Sequence, residues 1–232
     1  HDDGEKETIR LHDYDRIFAL PGLYEQLIYD RLKCQSPTRV VSSLHYALDQ
    51  SDQQPEGLRV LDIGAGNGMV GEEIARHGAA RIVGLDIIPE ARDATERDRP
   101  GVYDDYYVVD LTDLSDDERE DLESWSFNCL VSVAALGFGD LPVEAFVEAF
   151  NLLGDEGWVA FNVKETFLNR TDTSGFSRLV RELLFSDHLD IDRLERYRHR
   201  FSVEGEPLYY YALAGRKHGD VPPALVAEIV EG

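Results

Sequence analysis

Cysteine, lysine and long hydrophobic runs are scarce in this 232-residue sequence. The two cysteines, Cys34 and Cys129, are far apart and offer no disulfide framework, which favours a reducing compartment such as the cytoplasm. No run of about 18 apolar residues is present, so we expect no transmembrane helix. No Cys/His cluster has the spacing of a zinc site, and we therefore expect no metal.

The amino-terminal residues 1–6 are polar and lack the hydrophobic region of a secretion signal. Together with the lone thiols, this predicts a cytoplasmic protein without a membrane anchor. The chain starts with His1 and not with methionine, which we interpret as a trimmed end.

Positive charge is also scarce, because 46 acidic residues face only 23 basic ones, and the formal net charge is −23. Such a surface repels phosphate backbones and disfavours nucleic acid as a partner. Two interpretations stay open. The chain is either an ordinary acidic cytoplasmic protein, or it is adapted to high salt, where screening removes the self-repulsion of the charge.

Apolar residues make up 43% of the chain, which suits a globular α/β domain. Residues 1–54 contain a polar tail and two helical segments and are expected to form an N-terminal helical cap. In residues 55–218 short apolar strands alternate with helices and close with a hairpin. This pattern predicts a mostly parallel sheet with a terminal antiparallel hairpin. Residues 219–232 are interpreted as a tail with a short helix.

Two local patterns carry further expectations. Ser36 followed by Pro37 is typical of an N-cap and the first residue of a helix. Arg196, Arg198 and Arg200 alternate along the hairpin, which predicts a solvated sheet face paired with acids, although a patch for an anionic substrate stays open. His188 and His199 have no partner visible in the sequence, so no general base is assigned.

A glycine-rich turn follows the first strand of the main domain and opens a helix. Gly64, Gly66 and Gly68 allow a sharp turn and a close approach of a ligand to the backbone. Gly66, Gly68 and Gly71 also satisfy a dinucleotide-binding spacing, with Asp86 twenty residues after Gly66. Spacing alone therefore does not separate S-adenosylmethionine (SAM) from a nicotinamide cofactor.

Aspartates end three consecutive predicted strands. Asp62 near the glycine turn would repel a diphosphate and attract a ligand that carries an ammonium and a sulfonium, by about 1–4 kcal/mol at about 4 Å. Asp86 suits a ribose diol, since a carboxylate accepts two hydroxyl donors. Asp110 suits the amine of adenine, and Ile87 and Leu111 could sandwich the ring. The aspartates thus favour SAM over a dinucleotide.

Five segments resemble the motifs of class I SAM-dependent methyltransferases, a Rossmann-like family, and a sixth run at 101–105 more loosely resembles a poorly characterised subgroup of small methyltransferases. The first is Leu-Asp-Ile-Gly-Ala-Gly-Asn-Gly at 61–68, and the others lie at 84–87, 110–111, 132–136 and 154–161. The resemblance implies a seven-stranded sheet, and SAM as the cofactor with S-adenosylhomocysteine (SAH) as the product. The cofactor-binding residues that it implies are Asp62, Gly64, Ala65, Gly66, Asn67, Gly68, Asp86, Ile87, Asp110, Leu111, Ser132 and Val133.

Three residues are candidates for contact with a methyl acceptor. Lys164 follows the fifth strand at the same edge of the sheet as the cofactor, or is simply a solvated strand end. Tyr14 and Tyr24 lie in the N-terminal segment, which in the resembling family often folds over the pocket. Tyr24 could instead be a core residue of an amphipathic helix.

The function expected from this resemblance is transfer of the sulfonium methyl group to a small-molecule acceptor by in-line displacement. The fourth strand ends in Ser-Val-Ala-Ala-Leu at 132–136 and lacks the Asn/Asp-Pro-Pro-Tyr/Phe motif of enzymes that methylate nucleic-acid amines. Two alternatives stay open, a nicotinamide-dependent oxidoreductase and a non-catalytic SAM-binding module. The sequence assigns neither the acceptor nor an oligomeric state.

Overall fold

A computed structural model describes residues 8–136, 141–169, 171–186 and 188–231. It contains a seven-stranded sheet with the strand order β3-β2-β1-β4-β5-β7-β6. The strands are β1 Arg59–Ile63, β2 Arg81–Asp86, β3 Asp105–Val108, β4 Cys129–Ser132, β5 Trp158–Lys164, β6 Leu189–Phe201 and β7 Pro207–Lys217. Strands β1 to β5 are parallel, and β7 pairs antiparallel with both β5 and β6.

Helices precede the sheet, connect its parallel strands and end the chain. They are α1 Tyr14–Ala19, α2 Leu23–Glu25, α3 Ser36–Gln50, α4 Met69–Arg76, α5 Pro89–Asp98, α6 Asp116–Ser124, α7 Val143–Asn151, α8 Gly175–Phe185 and α9 Pro223–Glu231. A π-helical segment, Gln26–Arg31, continues α2 directly, and short 3₁₀ turns occupy Pro55–Gly57 and Glu165–Leu168. No helix in the described part of the chain combines the length and apolar character needed to cross a membrane.

The central strands bury both faces, which explains why their sequences are nearly continuous runs of apolar residues. Alternate side chains of β1 enter two different cores. Leu61 and Ile63 pack with α6, α7 and α8, whereas Val60 packs with α3 and α4. A fully buried Val, Leu or Ile contributes up to about 1.5–3 kcal/mol to folding, so these two cores hold the strand ends in place. Asp62 is the one charged residue in this strand interior.

Helix α3 shares a core with the sheet. Val40, Val41, Leu44 and Leu48 are buried in the same cluster as Val60. Helix α3 therefore packs with the sheet, although it falls within residues 1–54, the predicted cap. We call residues 14–31, which comprise α1, α2 and the π-helical segment, the N-terminal cover. The boundaries of the three predicted regions stay predictions.

The expected fold class is confirmed by the sheet order and by the terminal hairpin. The antiparallel β7 between β5 and β6 also differs from the parallel 3-2-1-4-5-6 order of dinucleotide-binding domains. Two local predictions were wrong. Gln35 and not Ser36 is the N-cap of α3, and Arg200 is buried instead of solvated. An irregularity between Arg198 and Arg200 breaks the alternation of β6 and turns Arg200 inward.

Candidate functional site

The glycine turn joins β1 to α4 and has the conformation that its sequence predicts. Gly64, Gly66 and Gly68 all have positive φ angles, of +68°, +55° and +82°. A Cβ atom on Gly64 would lie 2.8 Å from the side chain of Ala135, and one on Gly66 would lie 3.2 Å from the Phe18 ring. The turn is therefore packed closely between the end of β4 and the N-terminal cover, and larger residues would displace one or the other.

Asp86 ties the end of β2 to the glycine turn. Its Oδ2 atom accepts a hydrogen bond of 2.9 Å from the Gly66 amide, and its Oδ1 atom accepts one of 3.1 Å from the Ile88 amide. Burial raises the pKa of the Asp86 carboxyl, and these backbone donors act in the opposite direction. Both oxygens retain lone pairs, so the carboxylate can accept further hydrogen bonds from a ligand.

A cavity opens at the carboxyl ends of β1 to β4, and we call it the main cavity. Asp86, Ile87, Asp110 and Leu111 line one part of it, and Gly64, Gly66 and Val133 line another. Ile87 is 56% exposed, an unusual degree for a large apolar residue next to a cleft. The N-terminal cover contributes Tyr14, Phe18 and Tyr24, whose rings contact one another. The wall thus combines carboxylates with apolar and aromatic surface.

A second cavity adjoins the main cavity behind the glycine turn. The two share six lining residues, namely Tyr14, Tyr24, Gly64, Gly66, Val133 and Ala134. Ala65 and Asn67, both expected in the cofactor site, line only the second cavity. Another part of its wall comes from the segment before α3 and from the end of β6, namely Cys34, His199 and Arg200.

Asp62 lies beneath the glycine turn and lines neither cavity. Its side chain is fully buried, and Oδ2 accepts a hydrogen bond of 2.7 Å from the Tyr103 hydroxyl. Oδ1 has no hydrogen-bond partner among the described residues. The pKa of this carboxyl is raised to about 7, chiefly by burial and also by the nearby Asp86 charge, which together outweigh the lowering effect of the Tyr103 hydrogen bond. In this structure the carboxyl supports the turn from below and does not face the cavity directly.

Three further residues expected at the site lie off both cavities. Gly68 is packed against α5 and the segment after it, since a Cβ there would lie 3.2 Å from Thr95 and from Val102. Ser132 is fully buried, with no hydrogen-bond partner for its hydroxyl among the described residues. Lys164 lines an outer groove beside Tyr209 and Tyr210, and Arg200 lines both this groove and the second cavity. Most of the expected site residues therefore line the main or the second cavity, but Gly68, Ser132 and Lys164 do not.

Sequence reasoning missed Phe18, His199 and Arg200 as lining residues. Phe18 lies on a short helix next to the expected Tyr14 and Tyr24, so the aromatic spacing of this segment was an available signal. His199 and Arg200 come from the hairpin, far along the chain from the motifs, and no local signal connects them with the cofactor turn. No cluster of potential metal ligands occurs among the described residues.

The sequence comparisons agree with this geometry. Residues 34–204 match a family model described as a methyltransferase domain. The chain is 39% identical over 126 residues to the ubiquinone biosynthesis O-methyltransferase of Rhizobium etli (strain CIAT 652). That alignment covers 49% of this chain and 50% of the relative, so the chain spans about half the length of the curated protein that it matches.

Solved structures with the same fold are more distant in sequence. The magnesium protoporphyrin IX methyltransferase of Synechocystis PCC 6803, solved with bound SAM, is 16% identical with a TM-score of 0.56, covering 90% of this chain and 100% of that one. The N-methyltransferase NodS of Bradyrhizobium japonicum WM9, in complex with SAH, is 16% identical with a TM-score of 0.55, covering 88% and 96%. Since the family model spans most of the sequence and the fold agrees, the chain belongs to the methyltransferase domain family and has the class I fold of SAM-dependent methyltransferases.

Proposed function

We propose that this chain transfers the methyl group of SAM to a small-molecule acceptor. The observation that carries the proposal is the Asp86 carboxylate, fixed by two backbone amides on the wall of a cavity at the ends of adjacent parallel strands. Ligands of open α/β sheets bind at this edge. Membership of the methyltransferase domain family supports the same function.

The residues on the cavity wall fit an adenosine with a cationic tail. In the proposed complex Asp86 accepts hydrogen bonds from the two ribose hydroxyls. Asp110 accepts one from the adenine amine, and the Thr112 hydroxyl and amide that it already binds hold its pKa below the ordinary value. Ile87 and Leu111 contact the two faces of the ring. Gly64, Ala65 and Asn67 line the path of the methionine tail.

Charge also favours a cationic ligand over a diphosphate. The Asp86 carboxylate lines the main cavity, and neither lysine nor arginine lines that cavity within the described residues. A carboxylate attracts a cation at about 4 Å by roughly 1–4 kcal/mol in a partly solvated site. A pyrophosphate in the same place would be repelled by a similar amount.

When bound, SAM would supply an electrophilic methyl group, which would form a bond to a nucleophilic atom of the acceptor as its bond to the sulfonium sulfur breaks and SAH leaves. The chain itself contributes position and exclusion of water. The rings of Tyr14, Phe18 and Tyr24 cover the glycine turn and shield it from bulk solvent. In the proposed complex Asp86 and the turn fix the cofactor in the main cavity, which adjoins the second cavity. No base is assigned, because only a protonated or weak nucleophile requires one.

Three observations support a small molecule as the acceptor. The net charge of −23 repels nucleic-acid phosphates. The curated relative is, by its name, an O-methyltransferase of ubiquinone biosynthesis. The cavities are also bounded by the N-terminal cover, which limits the size of a molecule that can enter.

The two free thiols favour a reducing compartment, and we therefore propose that the protein acts in the cytoplasm.

Isothermal titration calorimetry with SAM, SAH and NADH tests the cofactor. We expect SAM and SAH to bind and NADH not to bind, whereas binding of NADH alone would favour an oxidoreductase. Incubation with methyl-labelled SAM and a metabolite extract then tests catalysis. A labelled small product is expected, and cofactor binding without turnover on any extract would indicate a non-catalytic module.

A further inference from the structure

The wall of the second cavity contains two buried polar side chains that the proposed cofactor contacts do not use. His199 is 4% exposed and Arg200 is 7% exposed, and both come from the end of β6. Both line the second cavity, next to the glycine turn residues Ala65 and Asn67. Burying an imidazole and a guanidinium side by side is unfavourable unless something compensates for their lost hydration.

A buried hydrogen-bond network fixes the orientation of an amide. The Ala134 amide donates to Oδ1 of Asn162 at 2.7 Å. The Asn162 Nδ2 atom therefore donates, and it does so to the Tyr197 hydroxyl at 2.8 Å and to the Ser36 hydroxyl at 3.2 Å. The Tyr197 and Ser36 hydroxyls lie 2.7 Å apart, and Ser36 lies 2.5 Å from Nδ1 of His199.

The same network fixes the tautomer of His199. Tyr197 accepts from Asn162, so its own proton goes to Ser36, and Ser36 donates to Nδ1 of His199. If Ser36 instead donated to Tyr197, the Tyr197 hydroxyl proton would be buried without a hydrogen-bond acceptor among the described residues. The ring proton of His199 is therefore on Nε2, which has no hydrogen-bond partner within the described part of the chain.

His199 also stays neutral over the physiological range. Burial lowers the pKa of its imidazole to about 3, and the charges of Arg200 and Lys164 act in the same direction. The ring packs against Tyr210, with the centroids 4.1 Å apart. A neutral imidazole in this tautomer offers one hydrogen-bond donor, Nε2–H, on a residue that lines the second cavity, and it is not a base.

Arg200 is a buried cation without a carboxylate partner among the described residues, in a chain where acidic residues outnumber basic ones two to one. One guanidinium nitrogen donates to the carbonyl of Phe201 at 2.9 Å. The other N–H groups have no protein acceptor in the described residues, although a guanidinium carries five donors. Arg196 on the same strand, by contrast, pairs with Glu165 at 2.7 Å.

We propose that His199 and Arg200 form a subsite for a carboxylate in the second cavity. A carboxylate accepts from the guanidinium and from Nε2–H together, and charge-assisted bonds of this kind compensate for burial of the cation. Two sources supply this chemistry at this position. One is the carboxylate of the cofactor's methionine tail, in which case the inference rests on the proposed function, and the other is a carboxylate on the acceptor.

Calorimetry with SAH and with its decarboxylated analogue, which keeps the ammonium, tests the first source. We expect the wild-type protein to bind SAH about 10- to 100-fold more tightly than the analogue, the range for losing a hydrogen-bonded charge. The ratio of the affinity for SAH to the affinity for the analogue should fall towards one in Arg200→Met and in His199→Phe. Arg200→Lys should retain part of this preference for SAH. Arg198→Met is the matched control on the same strand and should keep the wild-type ratio.

Benzoate, titrated into the SAH-loaded protein and followed by saturation-transfer NMR, tests the second source. If Arg200→Met and His199→Phe retain the wild-type preference for SAH over its analogue but no longer bind benzoate, the subsite binds a carboxylate of the acceptor. If the wild-type protein binds SAH and its analogue equally and does not bind benzoate, the subsite proposal is overturned even if no variant folds. Failure of the wild-type protein to bind SAH would instead overturn the proposed function, and the benzoate experiment on the free protein would still decide the subsite.

Discussion

The Tyr103 hydroxyl donates a hydrogen bond of 2.7 Å to Oδ2 of Asp62, the buried carboxyl beneath the glycine turn. This bond stabilises the ionised form, but burial dominates and raises the pKa of Asp62 to about 7. The Asp62 carboxyl therefore loses its proton near neutral pH and not near pH 4. Its unpartnered Oδ1 atom adds to the cost of keeping the group ionised in the core.

Stability should consequently depend on pH through Asp62. The folded-state pKa lies above the unfolded value of about 3.9, so the unfolded chain loses this proton first as the pH rises. The free energy of unfolding of the wild-type protein should therefore fall relative to that of Asp62→Asn between about pH 4 and pH 7. The slope is about 1.4 kcal/mol per pH unit, to a total of roughly 4 kcal/mol at most.

Urea unfolding at intervals from pH 5 to pH 8 measures this difference. Asp93→Asn, which removes an exposed carboxyl on α5, is the control for loss of an acidic side chain outside the core. A difference between Asp62→Asn and wild type that does not change with pH, or that changes in the opposite direction, would contradict the raised pKa of Asp62.

Asp86→Asn should weaken the affinity for SAM. The substitution removes the charge that the Gly66 and Ile88 amides orient, and with it the strongest acceptor for the proposed ribose hydroxyls. We expect a loss of about 1–3 kcal/mol in binding free energy. Calorimetric titration with SAM measures it, with thermal unfolding to verify that the variant is folded. An affinity equal to that of wild type in a folded variant would exclude the ribose role.

Most of the fold and part of the site were predictable because they depend on local patterns. The turn at 64–68 and the strand-end residues Asp86 and Asp110 follow from residues adjacent in sequence, where a strand ends and glycines allow a turn. The parallel sheet then brings these ends to one edge without further information. The glycine turn, Asp86 and Asp110 therefore line the same cavity because the strands that precede them are neighbours in the sheet.

The missed features depend on contacts between distant residues. His199 and Ser36 are 163 residues apart, and they meet because the end of β6 pairs with the segment before α3. The alternation of Arg196, Arg198 and Arg200 predicts one solvated face, but the irregularity in β6 moves Arg200 inward. A one-residue shift reverses the face of every following side chain, and the sequence carries no signal for it here.

Gly71→Ala should destabilise the protein although it improves helix propensity. A Cβ on Gly71 would lie 2.6 Å from the ring of Tyr103, which is held by its hydrogen bond to Asp62. Ala is favoured over Gly within a helix by about 1 kcal/mol, but overpacking of this kind costs about 1–3 kcal/mol. We expect a net loss of stability in urea unfolding. Gly154→Ala, where nothing lies within 4 Å, is the control, and an equal effect of the two substitutions would exclude steric conflict as the cause.

The N-terminal cover is held to the glycine turn by Glu25. Its Oε1 atom lies 2.8 Å from Nη1 of Arg99 and accepts a hydrogen bond of 3.2 Å from the side-chain Nδ2 of Asn67. The Arg99 side chain is only 10% exposed and also binds Glu72 on α4 at 2.9 Å. Arg99 therefore joins the cover to the helix that starts at the glycine turn, and loss of the Glu25 charge should loosen the cover without unfolding the sheet.

Glu25→Gln should increase hydrogen exchange of the amides in residues 14–31 and speed the release of SAH. A partly exposed ion pair contributes about 0.5–1 kcal/mol, so both rates should rise about two- to five-fold. Hydrogen exchange followed by mass spectrometry, and stopped-flow release of SAH, measure the two rates. Glu72→Gln removes the other carboxylate bound by Arg99 but does not bridge to the cover, so it should leave exchange in residues 14–31 near the wild-type value. The same increase in both variants would mean that Arg99 stabilises α4 generally and that Glu25 does not hold the cover.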